Sequence, residues 1–404
     1  MIWFYRAMYV LLLPVLVLWF GWRLVRGKED LDRFGERFGI ASEARPVGKL
    51  VWFHCASVGE SLSIQPLIAS LRKAKPKLHI LVTTGTRSSA ALMAKHLPKG
   101  VFHQYVPIDV YPCVQRFMQH WQPDLSLFVE SELWPELLAA APEATLINAR
   151  MSDRSWRRYS LVPFVAKWLL RQCAAVLCQS ATDVERFKTF TYNAQLMGNL
   201  KYDFPPLSVD EKSLRQLQQQ IGLRPVVVMA STHSREEAMA VRWQHQWHQQ
   251  MKDVLVVIIP RHPERVKEFI SLLPADAYGL RSREDKITPA TRFYVGDTFG
   301  EMGLWFRLAS VVVMGGSFIQ HGGHNPLEPL KLNKPVFVGP HMFNFRDMTT
   351  VLTRLGLIRQ VPNEATLLQE MNLKNLPQPN PGLLASLEGA TPRALDYIIN
   401  ALKA

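Results

Sequence analysis

Two near-continuous apolar runs, Leu50–Cys55 and Pro225–Ala230, constrain this chain most, because each opens the same plan. Each ends in a polar stretch, Ala56–Glu60 (ASVGE) in the first half and Ser231–Glu237 (STHSREE) in the second, followed by a helix-like pattern. In the first half that pattern runs through Leu62, Ile64, Leu67, Ile68 and Leu71. About 28 residues further on comes another apolar run, His79–Thr84 and Val254–Pro260, the spacing of a strand–helix–strand unit. A third strand follows in each half, Leu125–Val129 ending in Glu130 and Ser310–Met314 ending in Gly315-Gly316-Ser317. Apolar strands without alternation are buried on both faces, which requires parallel sheets covered by helices. The pattern predicts an α/β chain of two doubly wound, Rossmann-like domains, and 404 residues suffice for both. Pro205-Pro206 marks the join, with a helix predicted over Asp210–Gln220. The expected division is 1–28, 29–204 and 205–404, the last helix either staying with the second domain or packing back on the first.

The segment 1–28 is expected to be a membrane anchor. Ala7–Trp22 carries no charge, and such a helix reaches about 24 Å at 1.5 Å per residue, short of a hydrocarbon core of roughly 30 Å. Pro14 interrupts it. A cleaved signal peptide fits less well, since Gly21-Trp22-Arg23 is not a small-x-small site; a helix buried in the protein is the third reading. Arg23, Arg26 and Lys28 follow the apolar run, which leaves the bulk of an anchored chain on the cytoplasmic side. Because the α/β pattern begins only near Lys49, removal of 1–28 is expected to leave both cores folded. The net charge of +13 favours nucleic acid, anionic lipid or phosphorylated substrates. Four cysteines without a CxxC pair exclude a disulfide scaffold.

In doubly wound sheets ligands sit beyond the carboxyl ends of the strands, where each polar cluster named above falls. The stretch 321–329 (HGGHNPLEP) is expected to open a helix with Asn325 and Glu328 on one face. Glu328 is placed there to accept hydrogen bonds from a sugar diol, and the helix N-terminus with the Gly315–Ser317 amides to receive a phosphate. His321 and His324 lack a matching acidic or cysteine set, so they are expected as hydrogen-bond donors and not as metal ligands. Arg261, followed by His262, stands after a strand, where a guanidinium pairs with phosphate. Glu60 heads a helix and serves either as a partner of the helix dipole or as a general base; Glu130 and Glu132 carry the same ambiguity. Arg150, Arg154, Arg157, Arg158, Lys167 and Arg171 stand against one acid, Asp153, either as a solvated face or as a contact for lipid or phosphate.

The ordered set SVGE (57–60), VESELWP (129–135), INARMSDRS (147–155), GNLKYD (198–203), STH-x-x-EE (231–237), PRHPER (260–265), VGDTFGE (295–301), GGSF (315–318) and GGHNPLEP (322–329) resembles the 3-deoxy-D-manno-oct-2-ulosonic acid (Kdo) transferases of lipopolysaccharide assembly. The likeness is collinear from the N-terminal segment to PHMFNFRD (340–347). It implies a GT-B fold with two domains facing across a cleft, CMP-Kdo as donor, a lipid A precursor (lipid IVA) as acceptor, inversion, and no metal or other cofactor. By motif it implies Glu60 as base and Glu130 as a second active-site carboxylate. The implied donor site takes Lys201, Ser231, Arg261, His262, the loop Gly315, Gly316, Ser317 and Phe318, and Asn325 with Glu328; the implied acceptor contacts are Thr84, Arg150, Arg154 and Arg157. The setting it implies is the cytoplasmic face of the cell inner membrane, with an anionic lipid surface as partner and no nucleic acid. Ser234-Arg235 and Arg87-Ser88 depart from the family pattern and leave acceptor contacts open. The competing class is a membrane-tethered basic binding protein, which would need no carboxylates gathered at strand ends.

Overall fold

The computed structural model describes residues 1–98 and 100–403. These form two compact units, Met1–Phe204 with Leu387–Ala404, and Pro205–Ser386. The first contains strands β1 (Leu50–Cys55), β2 (His79–Thr84), β3 (Val101–Tyr105), β4 (Leu125–Val129), β5 (Thr145–Ala149), β6 (Ala175–Cys178) and β7 (Ala194–Leu196). They form one parallel sheet in the order β3-β2-β1-β4-β5-β6-β7. The second contains β8 (Val226–Thr232), β9 (Leu255–Pro260), β10 (Tyr278–Leu280), β11 (Phe293–Val295), β12 (Val311–Met314), β13 (Val336–Val338) and β14 (Arg359–Gln360), ordered β10-β11-β9-β8-β12-β13-β14, again all parallel. Both sheets are doubly wound, as the strand pattern predicts.

Chain order reverses between β1 and β4 in one sheet and between β8 and β12 in the other, and at such a point the loops diverge and leave a crevice. Glu60 follows β1 and Glu130 follows β4; the STH loop follows β8 and the GGSF loop follows β12. The central strands carry no alternation because both faces are covered. In β1, Trp52 packs with Phe117 and Phe128 on one side, while Val51 and Phe53 join Leu67 and Leu71 on the other. The helical pattern after β1 folds as two helices, Val58–Ser63 and Gln65–Ala74, because Pro66 has no N–H to continue the first. The helix expected near Asp210 spans Glu211–Ile221, with the Asp210 carboxylate accepting the Ser213 amide at 2.8 Å.

The second domain does not run to the C-terminus. Helix Ala390–Ala401 packs back on the first unit, its Ala390, Ala394 and Ile398 entering the core beside Leu67 and Leu71. Asp203 fastens its start by accepting the Gly389 amide at 2.8 Å and the Thr391 amide.

The N-terminal helix spans Ile2–Val25 and bends by 56° between Ile2–Leu12 and Pro14–Val25. Among the described residues no single helix is long and apolar enough to cross a membrane, although the two bent halves together pass by length and composition. Polar side chains bind both ends of this helix to the first unit. Tyr5 donates to Asp109 at 2.7 Å, Arg6 holds Glu136 with two bonds of 2.6 and 3.0 Å, and Arg23 donates to Glu29 at 2.6 Å. All three carboxylates are buried, and Glu29 also accepts from Arg37. Between these ties Val10, Leu11, Val15 and Leu18 stand exposed.

Candidate active site

Ser57 caps the helix after β1, its hydroxyl oxygen accepting the Glu60 amide at 3.3 Å. The Glu60 carboxylate turns back over the same turn and accepts from the Ser57 hydroxyl and the Ala56 amide, both at 2.7 Å. Only 9% of Glu60 is exposed. Burial pushes its carboxyl up to about 7, Glu132 and Glu130 add to the rise, and the bonds from Ser57 and Ala56 oppose it. The side chain thus closes its own helix turn, while a carboxyl raised by burial also suits proton transfer near neutral pH, so the structure leaves both sequence readings of Glu60 open.

Glu130 adopts φ 60°, an uncommon conformation for a non-glycine residue. Its amide donates to Ile147 and its carbonyl accepts from Arg150, which fixes the turn after β4 to the end of β5. The Glu130 carboxylate accepts from Lys201 Nζ at 2.6 Å. Lys201, placed at the donor by resemblance, thus stands beside the second carboxylate of the first unit. Its turn, Leu200–Asp203, begins where the Asn148 side chain accepts the Leu200 amide at 3.1 Å.

The sequence reading gave Glu132 no settled place. Its carboxylate accepts from the Trp134 indole and lies 3.6 Å from Nε2 of the fully buried His54, whose Nδ1 lies 3.0 Å from the Thr83 hydroxyl. Burial alone would raise Glu132, but the contacts with His54 and Trp134 outweigh it and hold the carboxyl below its ordinary range.

Of the implied acceptor contacts, Thr84 is fully buried and its hydroxyl pairs with His103 Nε2 at 2.9 Å. Arg150 is half-buried at the end of β5, its carbonyl accepting from Ser131 at 2.6 Å. Arg154 and Arg157 project from helix Asp153–Leu161, which buries none of its residues.

In the second unit two of the three loop amides expected to hold a phosphate, those of Gly315 and Gly316, are already bonded. The Gly316 and Phe318 amides donate to the buried Glu236 at 2.7 and 3.2 Å, and the Gly315 amide donates to Ala230 at 2.7 Å. Ser317 is fully buried, its hydroxyl spanning Met314 and Gly339. A Cβ at Gly315 would stand 2.3 Å from the Ser231 carbonyl oxygen, so this close approach of β8 and β12 requires glycine. Ser231 itself holds φ 58°. The helix expected after GGHN is a single turn, Leu327–Leu330, and its first amide is taken by Asn325 Oδ1 at 3.1 Å. A turn this short sums almost no dipole, so it offers a phosphate little.

Arg261 is exposed and makes no side-chain hydrogen bond among the described residues, whereas Arg265 of the same cluster is bound to Glu237 and Glu268 at 3.0 Å each. His262 is exposed nearby. Glu328 accepts from Asn325 at 3.3 Å; burial raises its carboxyl above the ordinary range, against the Asn325 bond and the charge of Arg261. The loop after β13 adds a cavity of about 240 Å³ lined by His341, Met342, Phe343, Arg346 and Gln360. Its only sequence signal was the motif 340–347.

Three histidines converge beside Arg261. His233 of the STH loop and His324 share a hydrogen bond, Nε2 to Nε2, of 2.8 Å, and the His321 ring lies 3.7 Å from that of His233. Burial first, then neighbouring positive groups, lowers His233 and His324 to about 4.

A family profile described as 3-deoxy-D-manno-octulosonic-acid transferase (kdotransferase) matches residues 32–204. The 3-deoxy-D-manno-octulosonic acid transferase of Rickettsia bellii is 35% identical over 350 residues, covering 85% of this chain and 84% of that one. The protein of the same name from Haemophilus influenzae is 30% identical over 381 residues, covering 91% and 88%. Among solved structures, Acinetobacter baumannii MurG superposes with a TM-score of 0.53 at 11% identity, over 87% of this chain and all of that one, a likeness of fold alone.

Proposed function

Because the chain belongs to the 3-deoxy-D-manno-octulosonic acid transferases, a family of glycosyltransferases, we propose that it moves Kdo from CMP-Kdo to a lipid A precursor with inversion at the anomeric carbon. The observation that carries this reading is Glu60, a buried carboxyl just past the carboxyl end of β1 that burial pushes up to about 7. In the proposed step an acceptor hydroxyl oxygen bonds to the anomeric carbon as the bond to the CMP phosphate breaks. Glu60 takes the hydroxyl proton, and CMP leaves with the bonding electrons. Oxocarbenium character develops between the two events, and nearby carboxylate charge stabilises it. Glu130, held by Lys201, is assigned that supporting role. Arg261 receives the phosphate and Glu328 the ribose diol; the Gly315–Phe318 loop shapes the floor without spending its Gly316 and Phe318 amides on the ligand.

We place the chain at the cytoplasmic face of the inner membrane. A helix tied to its domain at Arg6 and Arg23, with apolar side chains exposed between, suits a segment lying in the interface plane better than one crossing it. Exposed Arg154 and Arg157 suit the anionic lipid surface or the acceptor phosphates. The test is incubation with CMP-Kdo and a tetraacylated, bisphosphorylated lipid A precursor, with product mass as readout. A mass gain of one or more Kdo units supports the reading, and recovery of unmodified acceptor from folded, CMP-binding protein overturns it.

A further inference from the structure

We propose that His233, His321 and His324 form a binding site for a transition-metal ion of the zinc class, with three imidazole ligands and an open fourth position. One potential ligand nitrogen from each ring lies within 4.8 Å of the others. The sequence separates them: His321 and His324 share the loop after β12, and the third ligand, missing from the HxxH spacing, arrives from the loop after β8.

Both loops are held before any ligand arrives. The His233 amide donates to Glu236 at 3.0 Å, the Gly323 amide to the Gly316 carbonyl at 2.8 Å, and the Asn344 side chain to the His321 carbonyl at 3.2 Å. Gly323 sits at φ 73° with Met342 Sδ 2.1 Å from where a Cβ would stand, so the histidine loop rests directly on the segment after β13. Such backing limits how far the rings can drift, which is what a metal site needs from its surroundings.

The donor set selects the ion. Imidazole nitrogens without carboxylate suit zinc, cobalt, nickel or copper and discriminate against magnesium and calcium. Glu236 does not supply a carboxylate, because its two oxygens accept the His233, Gly316 and Phe318 amides. His233 and His324 presently point their Nε2 atoms at one another at 2.8 Å with rings 5° from parallel. Two nitrogens bound to one tetrahedral zinc stand about 3.3 Å apart, so the rings must separate by roughly half an ångström. The proton they share moves to Nδ1 of its own ring, and the ion enters without net loss of a proton.

The inference does not rest on sugar transfer, because binding is measured without nucleotide. The full chain, freed of metal by chelation, is titrated with Co²⁺. The expected result is visible d–d absorption of four-coordinate intensity, bleached by added Zn²⁺, with Zn²⁺ also raising the melting temperature. His321→Gln and His324→Gln should each weaken Co²⁺ binding by at least about tenfold. His245→Gln, on the exposed side of helix Glu236–Gln250, should leave it unchanged. His321 is exposed, so its variant retains the fold. A weak octahedral spectrum, or wild-type affinity in both variants, overturns the site.

Discussion

The Glu236 carboxylate accepts the Gly316 amide at 2.7 Å, which makes a side chain of one loop the internal anion of another. With the His233 and Phe318 amides it satisfies three donors around one buried carboxylate. Its neighbour Glu237 binds Thr232 and Arg265, each at 3.0 Å, so two adjacent acids join the loops after β8, β9 and β12. Glu236→Ala leaves those amides without a partner, and at about 1–3 kcal/mol for each unsatisfied buried group the melting temperature should drop markedly. Glu236→Gln retains one acceptor oxygen and should lose less. Equal melting temperatures for wild type and the alanine variant would show that the loop needs no internal anion.

The N-terminal helix calls for a change of expectation. Removing residues 1–28 takes Arg6 from the buried Glu136, Tyr5 from Asp109 and Arg23 from Glu29. Loss of one partner from a buried ion pair costs about 3–5 kcal/mol, so the truncated chain should be destabilised as well as released from membranes. Leu11→Ser with Leu18→Gln changes exposed positions and should release the chain from anionic vesicles while its melting temperature holds. Vesicle sedimentation beside thermal melts distinguishes the two; undiminished binding of the double variant would remove the interfacial role.

For the donor, Glu328→Ala and Arg261→Ala should each weaken CMP binding by roughly 1–3 kcal/mol, the scale of hydrogen bonds involving a charged group. Arg261 is exposed and makes no side-chain hydrogen bond among the described residues, so its replacement should not lower the melting temperature. Calorimetric titration giving wild-type affinity for both variants would remove them from the donor site.

The strands were legible because burial on both faces leaves a run such as Leu50–Cys55 apolar but for His54, a signal local to the strand. The loops that end them were legible for the same reason. Pairings across long sequence separations were not. Lys201 meets Glu130, 71 residues away, and His233 meets His324, 91 residues away, through sheet order and not through any local pattern. The pairing of Thr84 with His103 was not legible either, because a hydroxyl at a strand end reads alike whichever way it faces. The internal partners of the Gly315 and Gly316 amides were not legible because backbone amides leave no trace of their partners in sequence. The last helix meets Asp203, Met197 and Thr145 of the first unit, all too distant in sequence to pair by pattern.

Lys201 neutralises a carboxylate that raises Glu60, so its loss has a readable sign. Lys201→Met exposes Glu60 to the full Glu130 charge and should move the acid limb of the rate profile to higher pH. Lys201→Arg should restore it. An unmoved limb in a folded methionine variant would separate Lys201 from the proton-transfer step.

Glu60 provides the decisive prediction, because stability and rate depend on its proton in opposite ways. A general base works ionised, so kcat/KM should rise with pH and level off above about 7, the value to which burial raises this carboxyl. For stability, the folded pKa lies above the ordinary 4.5, so the folded state binds the proton more tightly than the unfolded chain. The contribution is greatest below about 4.5 and is lost as pH rises through about 7. Glu60→Gln cannot ionise and should remove that fall, while its amide still offers a donor to Ser57 and an acceptor to Ala56. Turnover should drop at least about 10²-fold, the lower end of what general-base catalysis contributes, with CMP affinity unchanged. If Glu60 served only to close its helix turn, the variant would show a lowered melting temperature and near-normal turnover in its folded fraction. Initial rates and melts across pH 5–9 decide between these patterns, and a folded glutamine variant with near-normal rate would transfer the role of base to Glu130.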